Sequence, residues 1–202
     1  MGRKDYGSEH GMKVILIRHG KVDYRWKKWS TSGQFDLDCI KYDQAHTEPV
    51  RTEIPEVIYQ RSTYGKIYIS SLPRTGETAA RMFGDNEFTQ TGLIDEVPLR
   101  SSLEGNVKLP LWFWNISGRL QWLFNRPRQP EGRRDTKKRA KKFVKTLLEN
   151  GENCIIVTHG FFMHTLIDSL KESGFRIGPA KMKYANGEYV VAERCVGKGL
   201  YG

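Results

Sequence analysis

Two apolar runs in this chain end the same way. Val14 to Gly20 reads VILIRHG, and Cys154 to Gly160 reads CIIVTHG. A continuous apolar run of four or five residues, without polar alternation, is the signature of a strand buried on both faces. Such strands belong to parallel sheets covered by helices on both sides. Each run then stops at a histidine followed by a glycine, which lets the chain turn. In open α/β sheets, ligands sit at the carboxyl ends of the strands. Two strands delivering His-Gly to that edge constrain both the fold and the chemistry.

The remaining pattern agrees with strands alternating with helices. Residues 13–18 and 154–160 read as strands, and Lys66 to Ser70, KIYIS, reads as a third. Residues 21–37 have no clean period and read as a loop. The stretch from Asp38 to about Tyr64 reads as partly helical, broken at Pro49 and Pro55. Arg74 to Phe83 reads as a helix with Pro73 near its start. Gly92 to Leu99, GLIDEVPL, contains a short strand that Pro98 ends. Arg133 to Asn150 carries Ala140, Phe143, Val144, Leu147 and Leu148 at helical spacing, with Asn150-Gly151 as its stop. The helix after Gly160 closes at Gly174. Lys183 to Glu193 reads as a hairpin around Asn186-Gly187. The expected fold is a three-layer α/β domain with a mostly parallel central sheet flanked by helices.

Of the 202 residues, 1–12 form a polar tail expected to be flexible. Residues 13–202 are read as one domain, with an aromatic and basic insertion around 106–135. Three scattered cysteines, Cys39, Cys154 and Cys195, make neither a disulfide framework nor a zinc cage. They point to a cytoplasmic setting. No run reaches the roughly 18 apolar residues a membrane-spanning helix needs.

The strand ends collect cations. Arg18 and His19 end the first strand, Ser70 leads through Pro73 to Arg74, and His159 ends the late strand. Two guanidiniums and two imidazoles at one rim repel each other until an anion joins them, and phosphate suits them. Arg18 and Arg74 can each present two parallel donors to its oxygens. His159 can add another, as can backbone N–H groups at helix starts after Gly20, Pro73 or Gly160. The same arginines lower the proton affinity of a neighbouring imidazole and keep it neutral and nucleophilic. Attack on phosphorus by such an imidazole gives a phosphohistidine, with no metal required. The leaving oxygen needs an acid near the same rim, and Asp95 or Glu96 can supply it.

These motifs resemble those of the histidine phosphatase superfamily, with its phosphoglycerate-mutase-like fold. LIRHG at 16–20, SSLPRTGETA at 70–79, the carboxylate in LIDEV and IVTHG at 156–160 come in the family's order. The resemblance implies His19 as the phosphorylated nucleophile and Arg18, Arg74 and His159 as the phosphate pocket. It favours Glu96 over Asp95 as the proton donor. Thr31 to Asp36 resembles the loop that closes over the phosphate, which brings in Ser32, Gly33 and Gln34. Lys21 is taken with Ser32, Gly33 and Gln34 as a substrate- or phosphate-binding residue, although it stands where the family often has an acidic or amide residue, and VPLRSS replaces the family's stretch after the acid. These departures favour a phosphatase over a mutase. A phosphate-binding regulatory protein without turnover is the third reading.

The chain carries 33 Lys and Arg against 23 Asp and Glu, a net charge of +10. This field suits a phosphorylated small molecule or a phosphoprotein as substrate. Nine cations lie between Arg126 and Lys142. Such a run binds nucleic acid or acidic lipid headgroups in some proteins, but the apolar period at 140–148 makes it first the solvated face of a helix. No nucleic-acid partner and no cofactor are therefore expected. The Trp-rich segment at 111–124 reads as a helix on the core, a substrate lid, an oligomer contact or a membrane-surface helix. A homodimer is left open. Glu77 reads as helix structure, and His46 and His164 as uninvolved in chemistry.

Overall fold

The computed structural model describes residues 11–48, 64–84, 86–178 and 184–195. Its central sheet has six strands: β1 (Met12–Arg18), β3 (Lys66–Ile69), β4 (Thr89–Gln90), β6 (Cys154–Thr158), β7 (Arg176–Ile177) and β8 (Tyr189–Arg194). Their order is β4-β3-β6-β1-β8-β7. The pairs from β4 to β1 are parallel, while β8 runs antiparallel to β1 and β7. β2 (Trp29–Ser30) and β5 (Leu109–Pro110) pair separately. Five helices complete the described fold: α1 (Ser32–Gln44), α2 (Pro73–Phe83), α3 (Leu111–Leu123), α4 (Arg133–Asn150) and α5 (Gly160–Glu172).

Layering explains why β1 and β6 do not alternate. Successive strand residues point to opposite faces. Val14, Leu16, Cys154 and Ile156 enter one core, with Phe143 and Leu147 of α4 and Phe162 and Leu166 of α5. Ile15, Ile17, Ile155 and Val157 enter the other, with Ala79 and Met82 of α2. Both faces are covered, so every position is apolar. The registers Arg18↔Thr158 and Ile69↔Val157 bring the carboxyl ends of β1, β6 and β3 to one edge.

Several elements differ from the sequence expectation. β1 begins at Met12, inside the segment read as tail. The supposed loop at 21–37 contains the start of α1. Thr31 and Gln34 form a capping box there, with Thr31 N donating to Gln34 Oε1 at 3.1 Å. The buried positions of α1 include Ser32 and Asp38, which hides its apolar period. Gly92–Ile94 is a 3-10 turn rather than a strand, and Thr91 caps it. The turn at Asn186-Gly187 exists, with Gly187 at φ 77°. Its downstream strand, β8, pairs with β1 and β7, and residues 179–183 lie outside the described residues. So do Pro49 and Pro55. The aromatic segment is α3. Trp114 is fully buried, stacks on Phe35 and donates from Nε1 to Ser30 O at 3.1 Å.

Candidate active site

β1 and β6 are neighbours, so their terminal histidines meet. The rings of His19 and His159 lie 5.1 Å apart, centroid to centroid. Both side chains are buried. His19 N donates to Thr158 O at 2.9 Å, which ties the two strand ends together. His19 Nδ1 lies 2.7 Å from the Gly20 carbonyl. A carbonyl only accepts, so Nδ1 carries the proton and Nε2 keeps its lone pair. Among the described residues, Nε2 has no hydrogen-bond partner. Burial, then the charges of Arg74 and Arg18, push the His19 pKa down to about 3. Burial and the charges of His19 and Arg74 hold His159 well below its ordinary value as well. Both imidazoles are neutral at pH 7.

Arg74 is fully buried and fixes this pair. Its Nε donates to His159 Nδ1 at 3.2 Å, so His159 places its own proton on Nε2, 2.7 Å from Ser70 Oγ. The guanidinium reaches the carbonyls of Tyr42 and Asp43 at 3.3 Å and the Asp43 carboxylate at 3.1 Å. It also lies 5.0 Å over the Tyr42 ring. Both ring nitrogens of His159 are thus engaged by protein. In this arrangement it orients Arg74 and Ser70 rather than offering a free donor.

Arg18 is the less satisfied cation. One terminal nitrogen donates to the Tyr184 carbonyl, while its buried Nε has no partner among the described residues. A buried donor without an acceptor costs about 1–3 kcal/mol, which an arriving anion would offset. Gly160 makes room for this side chain: a Cβ there would stand 2.8 Å from Arg18 Nε.

Glu96 and Asp95 separate cleanly. Asp95 turns away and accepts from Ser71 N and Ser71 Oγ. Glu96 accepts from Phe162 N and Val97 N at 2.9 Å and from Phe161 N at 3.3 Å. Its carboxyl sits on the first turn of α5. The backbone donors expected after Gly160 therefore serve Glu96. No helix starts directly after Gly20, since α1 begins only at Ser32; Gly20 N donates to Thr78 Oγ1 at 2.8 Å. Glu96 also lines a cavity of about 310 Å³ with Trp26, Tyr42, Asp43, Leu99 and Arg119.

The other sequence candidates are not brought to the cluster. Lys21 is exposed and pairs with Glu48 at 2.7 Å. Ser32 Oγ bonds Gly105 O at 3.0 Å, and Gln34 is spent on the capping box. Gly33 is in the first turn of α1 with nothing near its would-be Cβ. The last turn of α1, not the first, reaches the site, through Tyr42 and Asp43. Glu77 is structural: it holds Thr47 N at 2.7 Å and also binds His46. His46 is thus partnered, and His164 lies beside the Tyr184 ring.

Four supporting residues were not legible. Asn186 Nδ2 donates to the carbonyls of His19 at 3.0 Å and Gly20 at 3.1 Å and pins the loop. Arg139, from the basic run, donates to the carbonyls of Leu93 and Asp95 and pairs with Glu131 at 3.0 Å. It anchors the 93–95 backbone from behind. Arg119 of α3 donates to Val97 O at 3.1 Å and stacks over Phe161 at 3.8 Å. Asp43 is the partner of Arg74. Only Asn186, beside a glycine in a turn, carried a local signal.

A layered α/β fold whose adjacent central strands each end in a buried histidine, with Arg18 and Arg74 beside the pair, is the class that the structure defines. The chain belongs to the histidine phosphatase superfamily (branch 1), whose family model matches residues 14–194. Solved structures share the fold. A mycobacterial glucosyl-3-phosphoglycerate phosphatase in complex with VO3 superposes with TM-score 0.59 at 18% identity, covering 89% of this chain and 92% of that one. A phosphoserine phosphatase from Entamoeba histolytica, bound to 3-phosphoglyceric acid, gives TM-score 0.59 at 18% identity over 92% of this chain and 95% of that one. A protein described as mycobacterial hydrolase 1 gives TM-score 0.59 at 20% identity over 89% and 88%. No curated protein sequence matches the chain.

Proposed function

We propose that this protein is a metal-independent phosphatase that hydrolyses a phosphomonoester through a phosphohistidine at His19. One observation carries the reading: His19 Nδ1 lies 2.7 Å from the Gly20 carbonyl, which leaves Nε2, without a partner among the described residues, as the lone pair of an imidazole that burial and the arginine charges keep neutral. Nε2 attacks phosphorus, the N–P bond forms and the bond to the leaving oxygen breaks. The Glu96 carboxyl, at the cavity wall, gives that oxygen its proton. Water then attacks the phosphohistidine, Glu96 takes the water's proton, and phosphate leaves. Arg18, with its unpaired Nε, balances the phosphoryl charge. Arg74 and His159 hold the geometry. The two phosphatases with similar folds support hydrolysis over mutase chemistry.

The test is phosphate release from an aryl phosphate in the presence of EDTA. Wild type is expected to turn over and His19→Ala to be inactive. Aryl phosphates have good leaving groups, so the nucleophile is tested even where the acid is poorly matched. Equal activity in the two proteins would sink the proposal. Phosphate binding without turnover would favour the regulatory reading.

A further inference from the structure

α3 is apolar on two faces, and the fold covers only one. Trp114 and Gly118 pack inward, where a Cβ on Gly118 would strike Leu99 at 2.7 Å. On the opposite side Trp112 is 63% exposed, Ile116 55%, Leu120 49% and Phe124 66%. These positions are spaced by four and form one stripe. Leu123, also exposed, widens it into an open apolar groove floored by Trp122 and Phe161. A stripe this large and continuous is not ordinary surface.

Unpaired cations stand at both ends of the stripe. The first helical N–H, of Leu111, donates to the Lys28 carbonyl, which places exposed Lys28 and Trp29 beside the N-terminal end. Lys108 precedes it in the chain. At the other end Arg134 N donates to Asn125 Oδ1, so α4 starts against the end of α3. Arg126, Arg133 and Arg134 are exposed there. Among the described residues, none of Lys28, Lys108, Arg126, Arg133 and Arg134 makes an ion pair. The nearby carboxylates are already engaged: Glu104 with Arg128, Glu131 with Arg139, and Asp135 with Lys138.

We propose that α3 is an interfacial helix that seats the protein on an anionic lipid surface. Trp112 and Phe124 bracket an aliphatic centre, and aromatic side chains of this kind settle at the headgroup boundary. The basic residues at either end meet the lipid phosphates, an attraction that falls off within a Debye length. A nucleic acid would match the charge but leave the apolar stripe unsatisfied. A second copy would match the stripe but oppose like charges at both ends. Membrane seating answers both features. It is independent of the phosphatase reading, since none of the stripe residues touches the histidine pair.

The test is cosedimentation of the full chain with two kinds of vesicle, neutral phosphatidylcholine alone and phosphatidylcholine mixed with phosphatidylglycerol. Two triple variants complete it: Trp112→Ser/Ile116→Ser/Phe124→Ser and Arg126→Glu/Arg133→Glu/Arg134→Glu. Wild type is expected to bind the anionic vesicles and to be released by high salt. Each variant is expected to lose at least about tenfold in partitioning, with circular dichroism and thermal unfolding unchanged because every altered side chain is exposed. Absence of cosedimentation by wild type would overturn the proposal. So would binding that neither variant weakens. Sedimentation of wild type as a dimer that the apolar variant turns into a monomer, without vesicle binding, would assign the stripe to contact between copies instead.

Discussion

Gly160→Ala isolates the link between packing and chemistry. Gly160 opens α5, and a Cβ there would stand 2.8 Å from Arg18 Nε, 3.0 Å from Cζ and 3.2 Å from Cδ. Ordinary contact begins near 3.4 Å, so the arginine must yield by about half an ångström. It has little freedom to do so. The side chain is inside the strand-end cluster and tethered to the Tyr184 carbonyl. Overpacking of this kind costs roughly 1–3 kcal/mol. Alanine returns up to about 1 kcal/mol as a better helix former. Net stability should therefore fall by roughly 0–2 kcal/mol. Activity should not be spared, because Arg18 Nε would no longer meet the phosphoryl group squarely. Misplacement by ~1 Å, or loss of one charged donor, costs about a hundredfold in turnover. Gly33→Ala is the control. Nothing lies near its would-be Cβ, and it is in a helix, so kcat should hold and stability rise by roughly 0.5–1 kcal/mol. Steady-state hydrolysis of an aryl phosphate and thermal unfolding read both effects. Full turnover in Gly160→Ala would refute the role given to Arg18. A loss of turnover in Gly33→Ala would restore the first turn of α1 to the site.

Other consequences can be checked in parallel. Glu96→Gln should depress hydrolysis of an alkyl phosphate by roughly 100-fold or more and of an aryl phosphate far less, because only the alkyl leaving group needs the proton; Asp95→Asn, which faces Ser71, should leave both rates within a few-fold. Two buried neutral histidines make acid destabilising. The unfolded imidazoles titrate at their ordinary value near 6.5 and the folded ones lower, about 3 for His19. Their contribution is complete above pH 6.5 and is lost as pH falls toward 3. Each adds a slope of up to about 1.4 kcal/mol per pH unit; urea midpoints between pH 7 and 4 that do not move in step with these residues would count against their neutrality. Arg139→Met should lower the thermal midpoint by several degrees and reduce kcat with little change in KM, since it holds the 93–95 carbonyls rather than substrate. An unchanged kcat would dissociate Arg139 from the acid segment.

The strand-end cluster was readable because it coincides with the strongest local patterns. VILIRHG and CIIVTHG each combine a buried strand with its terminal chemistry in seven consecutive residues, and the sheet order makes them neighbours. α2 and α4 were readable for similar reasons: Pro73 starts one, and Gly151, at φ 66°, stops the other. What escaped depended on distance in sequence. Asp38 is buried in α1 because Tyr24 reaches it, at 2.9 Å, and that pairing breaks the apolar period. The basic run concealed Arg139 and Arg128, which look like their exposed neighbours until Glu131 and Glu104 fold against them. Resemblance to family motifs brought in Ser32, Gly33 and Gln34, and Lys21 came from its place directly after the first His-Gly. In the structure these residues serve a surface ion pair, a tertiary contact and a helix cap.

The central claim is covalent, so the direct measurement is the bond itself. Enzyme mixed with excess aryl phosphate and quenched in alkali, where phosphoramidates survive, would be digested and analysed by mass spectrometry. A phosphoryl group on the peptide containing His19, lost on acidification and absent from His19→Ala, is the predicted result. An active enzyme that carries no phosphoryl group there, or carries it on another residue, would contradict the account.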